Sequence, residues 1–140
     1  MKIGEMLVKK GLLTLQNLEL VLDVQERTKE RLGDIAIKMG FLSHQKLAPF
    51  LAEYFHLPFI NLKDVYKTIK PEVIQIISEE LAHRFMVMPI EINNTTLTLA
   101  MFDPLDVVAE DTIKLKTGYK VKRVVASEGD IMDAMDYCYH

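Results

Sequence analysis

Apolar and polar positions recur with a spacing of 29 residues over the first part of the chain. When the sequence is shifted against itself by that distance, residues 2–25 align with residues 31–54, and residues 26–30 form a charged link between them. The matched positions are glycines, leucines and one glutamine, namely Gly4 with Gly33, Gly11 with Gly40, Leu13 with Leu42, Gln16 with Gln45, Leu18 with Leu47 and Leu22 with Leu51. Self-similarity at a fixed spacing predicts a tandem structural repeat.

Each copy has the pattern of two helices joined by a turn. Ile3 to Lys10 is a short amphipathic segment with lysines in its last turn, and Gly11 follows it, where helices commonly end in a left-handed residue. Thr14, or Ser43 in the second copy, then offers a hydroxyl that can cap a longer helix. In that helix one stripe is formed by Leu15, Leu18, Leu22 and Gln25. The copies are therefore predicted to bury one apolar face together.

The two copies also repeat a basic residue, two glycines and a carboxylate at matching places. Two alike surfaces would suit a ligand with two similar halves. The alternative is that Gly4 and Gly33 only allow helices to pack closely and that the charges are solvated. The copies differ at Pro49, which stands where the first copy has Leu20 and predicts a kink or a later start of its helix.

The second half of the chain alternates between strand and helix patterns. A hairpin is predicted where Asn93-Asn94-Thr95 separates two alternating apolar segments, and helices are predicted after Pro71, Ser78, Pro104 and Ser127. The predicted elements are a strand at Phe59–Leu62, a helix from Pro71 to about Ile77, strands at Met86–Ile92 and Thr96–Met101, a helix from Pro104 to Thr117, a strand at Tyr119–Ala126 and a last helix. The fold class is therefore α+β, with a tandem helical repeat in residues 1–57 and a small α/β sandwich of order β-α-β-β-α-β-α in residues 58–140.

Composition and charge narrow the functional classes. The chain has 140 residues, 49% of them hydrophobic, which is enough for one ordinary domain or two small ones. Its net charge is −3 and no run of basic residues exceeds a pair, so no nucleic-acid partner is expected. Charged residues interrupt the apolar runs near the N-terminus, so neither a signal peptide nor direct membrane insertion is expected, and the expected location is the cytoplasm. The single Cys138 excludes an internal disulfide.

Residues suited to catalysis or metal binding are scarce. No G-x-x-x-x-G-K-[ST] motif occurs, so the chain is not expected to be an ATPase by itself. The four histidines lack the spacing of a metal site, and the carboxylates around Pro104 have a sufficient role as helix-capping groups. We therefore expect no catalytic residue, no metal and no required cofactor.

The doubled motif resembles a known family. A basic residue, an aliphatic residue and Gly, then a second Gly seven residues later, then leucines and a terminal Gln, in two 24-residue blocks separated by five residues, resemble the MshEN-type cyclic-di-GMP-binding domain. That domain stands at the N-terminus of type II secretion and type IV pilus assembly ATPases. The later segments LPFINL, SEELAHRFMVMPI, LTLAMFDPLD, KTGYKV and IMDAMDYCY are similar to the same N-terminal region. The resemblance covers nearly the whole chain.

The resemblance implies a set of ligand-binding residues. The polar contacts of the resembled domain to cyclic-di-GMP fall here on Lys2, Gln25, Arg31 and Asp34. An arginine can donate a fork of hydrogen bonds to guanine or phosphate, an aspartate can accept from the guanine N–H groups, and a glutamine can do either. The resemblance further implies backbone approach or apolar contact at Ile3, Gly4, Leu32 and Gly33, and one carboxylate from the second half, Asp103.

Two departures from the family pattern affect this site. Lys2 stands where the family has arginine, and an ammonium cannot make the planar bidentate contact of a guanidinium. Tyr54 stands where a second glutamine would close the second block. The loss of one bidentate charged contact would weaken binding by about 1.5 to 3 kcal/mol, which is roughly one to two decades of affinity.

Two functions therefore remain open. One is a regulatory domain of a type II secretion or type IV pilus ATPase system that senses cyclic-di-GMP through the two repeats. The other is a ligand-free docking module that binds a cytoplasmic segment of an inner-membrane secretion or pilus component, or an ATPase core, and is thereby held peripherally at the inner membrane. Arg31, Asp34 and Gln25 favour the first function, whereas Lys2 and Tyr54 favour the second.

Overall fold

Both copies of the 29-residue unit form the predicted pair of helices in the computed structural model, which describes residues 2–140. The first copy contains α1 (Ile3–Lys9) and α2 (Leu15–Thr28), and the second contains α3 (Leu32–Lys38) and α4 (His44–Tyr54). Both ends of α3 lie 29 residues after the corresponding ends of α1. The prediction of a tandem helical repeat is confirmed.

The turns inside the two copies use the same chemistry. Gly11 and Gly40 follow the first helix of each copy with φ angles of 76° and 80°, a left-handed conformation that glycine adopts without a steric penalty. The Thr14 hydroxyl then accepts a hydrogen bond from the backbone N–H of Asn17 at 3.0 Å, and Ser43 accepts one from Lys46 at 3.3 Å. The repeated sequence signals therefore specify the repeated turn directly.

The first glycine of each copy sets the distance between the two helices. A Cβ atom added at Gly4 would lie 2.8 Å from Leu18 Cδ1, and one added at Gly33 would lie 2.9 Å from Leu47 Cδ2. Leu47 lies 29 residues after Leu18, so the same glycine–leucine contact occurs in both copies. Close helix packing is thus a confirmed role of these glycines.

The two long helices differ in length and in what covers them. α2 has 14 residues, whereas α4 has 11 and continues through Pro49 as part of the helix. The predicted stripe of α2 is wrong in part, because Leu15 is 61% and Leu22 is 45% exposed while the buried residues are Leu18 and Val21. The reason is tertiary, since α2 packs against α3 with Val21 fully buried, whereas Leu15 and Leu22 stay in solvent.

The second half contains a three-stranded sheet with the order β1-β2-β3. The strands β1 (Val87–Asn93) and β2 (Thr96–Met101) form the predicted antiparallel hairpin, with an irregularity between Pro89 and Glu91. The strand β3 (Lys120–Val125) pairs with β2 in parallel after the helix α7 (Val107–Thr117). The remaining helices are α5 (Pro71–Ile74), α6 (Glu79–Phe85) and α8 (Glu128–Cys138). The α+β class is confirmed.

Three boundaries differ from the sequence prediction. The predicted strand Phe59–Leu62 is only a single parallel bridge between Phe59 and Val125, because the chain then turns into a short 3-10 helix that buries Leu62 completely. The helix after Pro71 ends at Ile74 instead of Ile77, because the N–H of Ile76 bonds to the carbonyl of Val73, only three residues back, and the α-helical pattern stops there. The helix predicted from Pro104 begins at Val107, where the Asp106 carboxylate accepts from the N–H of Ala109 at 3.0 Å.

The second copy of the repeat joins the helical half to the sheet. α4 packs against both α8 and β3, and the small side chains of Ala48 and Ala52 are buried with Val125. A larger cluster of buried side chains contains residues from both halves, from Leu7 to Met135. The sheet half therefore rests on α4, and this contact determines where a cleft can form.

Candidate functional site

A cleft of about 190 Å³ lies between the second copy of the repeat and the segment that follows β2. Residues of both halves and of both copies line it: Ile3, Gln25, Arg31, Leu32, Gly33, Asp34, Leu47, Leu51, Phe102, Asp103 and Leu105. Its polar groups are a guanidinium, two carboxylates and one amide, and the rest of its wall is aliphatic or aromatic. Such a mixture suits a flat polar ring that needs both donors and acceptors.

An ion pair between Arg31 and Asp103 crosses the cleft from one half of the molecule to the other. Arg31 is the residue just before α3, whereas Asp103 lies in the segment between β2 and α7. The Arg31 side chain is 45% exposed and that of Asp103 is 23% exposed, so both remain accessible to a ligand. The second carboxylate oxygen of Asp103 accepts the backbone N–H of Leu105 at 2.9 Å, which fixes the orientation of the carboxylate.

Gln25 lies at the boundary between the two copies, where its side chain holds the link before Arg31. Its Nε2 donates to the carbonyl oxygen of Glu30 at 3.1 Å. The Glu30 carboxylate in turn pairs with Lys38, and this hydrogen bond, followed by charge attraction, raises the pKa of Lys38. Side chains of α2 and of α3 therefore both bind Glu30, the last residue of the link. These contacts fix the backbone position from which the Arg31 side chain extends.

The apolar wall of the cleft includes the aromatic ring of Phe102, which is only 9% exposed. The ring of His44 meets it edge-on with 5.1 Å between the ring centroids. The Nδ1 atom of His44 lies 3.0 Å from Glu128 Oε2 at the start of α8. The wall is therefore supported from behind by the contact between α4 and α8.

The structure brings together seven of the nine residues predicted from the sequence. Those around the cleft are Ile3, Gln25, Arg31, Leu32, Gly33, Asp34 and Asp103. The other two are not among its lining residues, because Lys2 is exposed before α1 and the buried Gly4 packs against Leu18. Asp103, which lies 72 residues after Arg31 in the sequence, reaches the cleft through its pair with Arg31.

Sequence reasoning did not assign Leu47, Leu51, Phe102 and Leu105 to the site. Leu47 and Leu51 are leucines of the repeat, and their place in the motif is the signal for their position on the face of α4 that lines the cleft. Phe102 and Leu105 flank Asp103 and its following proline, so the same segment carried the signal. None of these four residues has a polar side chain, so the chemistry of the motif does not identify them.

Among residues 2–140 no group of three or more His, Cys, Asp or Glu side chains could hold a metal ion. Within the same range, no helix has the length and apolar character needed to span a bilayer.

Comparison with protein families matches residues 55–140 to the MshEN domain. The matched residues lie in the second half, whereas the double motif occupies residues 2–54. The chain is 34% identical over 138 residues to the type IV pilus assembly ATPase PilB of Myxococcus xanthus, which covers 99% of the chain and 24% of that protein. It is 28% identical over 123 residues to PilB of Thermus thermophilus, covering 86% of the chain and 14% of that protein. The chain thus spans about a quarter of these relatives or less.

Solved structures match over both halves of the chain. A structure of MshE with cdg (cyclic-di-GMP) superposes with a TM-score of 0.82 at 32% sequence identity, covering 99% of each chain. The N-terminal domain of XpsE superposes with a TM-score of 0.64 at 22% identity, covering 96% of this chain and 92% of that one, which shows a shared fold.

Proposed function

Because the chain belongs to the MshEN domain family, we propose that it is a regulatory domain of a type IV pilus or type II secretion ATPase system and that its cleft binds cyclic-di-GMP. One observation carries this proposal. Seven residues from four separate places in the sequence line one cleft with the donors and acceptors that a guanine nucleotide needs.

The cleft offers complementary chemistry to each part of such a nucleotide. Arg31 can donate a bidentate pair of hydrogen bonds to a phosphate or to the guanine O6 and N7 acceptors. Asp34 and Asp103 can accept from the N1 and N2 donors of guanine, and Gln25 can donate or accept beside them. Leu32, Leu47, Leu51 and Phe102 supply an apolar surface for the flat purine.

The solved relative supports the choice of ligand. A structure of MshE with cyclic-di-GMP has been solved, and its fold matches this chain over both halves at 32% identity. The cleft of this chain depends on both halves, since Arg31 comes from the repeat and Asp103 from the sheet half. A match over the whole chain therefore favours a site of the same kind.

The proposal assigns different roles to two subdomains, residues 1–57 and residues 58–140. The first carries the repeat and most of the ligand contacts, whereas the second covers the cleft and is available to a partner. The chain has no catalytic role of its own in this proposal and works in the cytoplasm, where an ATPase core or an inner-membrane component is its partner.

Titration calorimetry with cyclic-di-GMP at moderate salt tests the proposal. Binding should be measurable for the wild-type chain, and Arg31→Ala should weaken it by about 10- to 100-fold, since a charge-assisted bidentate contact is lost. Arg84→Ala is the matched control because Arg84 lies on α6 over the ring of Phe85 and is not a cleft residue. Its affinity should stay within about twofold of wild type.

A second candidate function is a ligand-free docking module. The observation that favours it is an exposed apolar face on α7, where Val108 is 65% and Leu115 is 87% exposed, two helical turns apart. If the wild-type chain shows no heat at about 100 μM cyclic-di-GMP, the ligand proposal fails and this second function takes its place.

A further inference from the structure

We propose that this chain associates with a second copy of itself, with an acidic face of α2 in one copy packed on a basic face of α7 and β3 in the next. Both faces are exposed and combine apolar with charged side chains. The acidic face consists of Leu15, Glu19, Asp23 and Glu26, and the basic face consists of Val108, Leu115, Lys116, Lys120 and Lys122. None of these residues lines the cleft, so the inference goes beyond the proposed function and needs no ligand.

The exposed apolar side chains of the molecule are concentrated on the two helices that carry these faces. Among the residues that the structure describes, the four most exposed large apolar side chains are Leu115 at 87%, Val108 at 65%, Leu15 at 61% and Val107 at 60%. Leu15 belongs to α2, and the other three belong to α7. Apolar side chains grouped in this way on a surface indicate a contact with another surface.

The exposed charges of α2 are mainly negative. Glu19, Asp23 and Glu26 follow one another at spacings of four and three residues, so they share one side of the helix with Leu15. Glu19 and Glu26 form no ion pair with any described residue. The Asp23 carboxylate lies 3.9 Å from the guanidinium of Arg27, the only cation in the helix. Two of the three carboxylates are therefore available to cations of another molecule.

The charges around the end of α7 have the opposite sign. Residues 112–127 contain five cations and no carboxylate, although the net charge of the whole chain is −3. Lys116 lies in the last turn of α7, and Lys120 and Lys122 are two residues apart on β3, so their side chains point to the same face of the sheet. Within the described part of the chain, none of these three lysines takes part in an ion pair.

A second copy covers both faces in one contact. An anionic bilayer would cover the lysines and leave Leu15 with its carboxylates in solvent, whereas a second copy places carboxylates against lysines and apolar side chains against each other. Each face also carries one opposite charge, Arg27 on α2 and Asp111 on α7. Because two different faces meet, the contact is heterologous and each copy keeps one face for a further copy.

Sedimentation equilibrium of the full chain without ligand tests the inference. Faces one helix wide bury less than a standard interface, so we expect transient association with a Kd on the order of 100 μM. The weight-average mass should therefore rise above the monomer mass of 16.1 kDa as the concentration is raised. The association should be weaker at about 500 mM than at about 50 mM salt, because salt screens exposed charges.

Charge reversal tests each face separately. Lys120→Glu with Lys122→Glu reverses the basic face, Glu19→Lys with Glu26→Lys reverses the acidic face, and all four positions are exposed. Each pair of changes should weaken association by more than about tenfold, because like charges then meet. The chain with all four changes has the wild-type net charge, and its association should return to within about threefold of wild type, because the two faces are again opposite in sign.

The matched control changes the net charge without touching either face. Lys63→Glu with Lys70→Glu alters the net charge as much as the basic-face variant does, at two exposed lysines outside both faces. Its association should stay within about twofold of wild type. Circular dichroism of every variant checks that it remains folded.

Three results would overturn the inference. One is a wild-type chain that stays monomeric up to about 500 μM, and sedimentation with vesicles of anionic lipid would then assign the lysines to a bilayer. Another is an acidic-face variant that associates as strongly as wild type, since α2 would then take no part in the contact. The third is a folded variant with all four changes that does not associate. Binding of cyclic-di-GMP is measured separately, so the proposed function stands or falls independently of these results.

Discussion

The first and second copies of the repeat have the same local structure but different surroundings. Each has a short helix, a left-handed glycine, a hydroxyl cap and a glycine–leucine contact at equivalent positions. They differ in cover, since α4 is packed against α8 and β3, whereas the corresponding outer face of α2 stays in solvent. Local sequence signals therefore account for the helices, and tertiary contacts decide which copy is covered by the sheet half.

The sequence differences between the copies agree with this division. Ala48 and Ala52, which allow α8 and β3 to approach α4, correspond to Glu19 and Asp23 in the first copy. A carboxylate at either place would be buried without a partner if α2 were covered in the same way, which is strongly unfavourable. The carboxylates thus keep the sheet half on the second copy and away from the first.

The largest change in stability is expected when one leucine of each copy is replaced by alanine. Leu51→Ala should lower the free energy of unfolding by about 2 to 5 kcal/mol, because a nearly buried side chain leaves a cavity. Leu22→Ala should lower it by less than about 1 kcal/mol, since Leu22 is 45% exposed. Urea denaturation followed by circular dichroism measures both, and similar losses in the two variants would contradict the difference in cover.

A smaller effect on stability is expected at Pro49, the position where α4 has a proline and α2 has a leucine. Pro49 lies inside α4 with an exposed side chain and cannot donate the backbone hydrogen bond of that position. Pro49→Ala should raise the free energy of unfolding by about 2 kcal/mol, the gain in helix propensity less the added freedom of the unfolded chain.

The matched control for this variant is Leu20→Ala at the equivalent place in α2, where the side chain is 51% exposed. Its unfolding free energy should change by less than about 0.5 kcal/mol. A destabilised Pro49→Ala variant would show that the proline fits the helix better than its missing N–H suggests.

The smallest expected effect concerns the charges that begin the two copies. Arg31→Ala removes a partly exposed ion pair and should lower the unfolding free energy by about 0.2 to 1 kcal/mol. Lys2→Ala removes no ion pair to any described residue and should leave stability unchanged. A double-mutant cycle of Arg31→Ala with Asp103→Ala measures the interaction energy of the pair. A coupling energy of zero would show that the pair does not contribute to stability.

Much of the fold follows from short-range signals in the sequence. The 29-residue spacing, Gly11, Gly40, Thr14 and Ser43 predicted the helices and turns of the first half, and the Asn93-Asn94-Thr95 turn predicted the hairpin. The errors occurred where distant contacts override local preference. The segment at Phe59 has strand character, but the need to bury Leu62 leaves it only one bridge.

The site was predictable in its motif residues and not in its asymmetry. Arg31, Asp34 and Gln25 came from the doubled motif, and they lie together. Nothing in the motif tells that Leu51 is enclosed and Leu22 is open, because this depends on where the sheet half packs. The absence of Lys2 from the cleft lining has the same origin, since Asp103 of the covering segment pairs with Arg31 of the second copy.

The ion pair between Arg31 and Asp103 couples the affinity for a ligand to the contact between the two halves of the molecule, and each weakens the other. A ligand that takes the guanidinium from the carboxylate removes a contact between the repeat and the sheet half, and by linkage anything that strengthens this contact weakens the ligand equally. A partly exposed pair contributes at most about 1 kcal/mol, which is roughly a fivefold change in affinity. A partner protein that pressed the two halves together would therefore tune the response to the ligand gradually instead of switching it off.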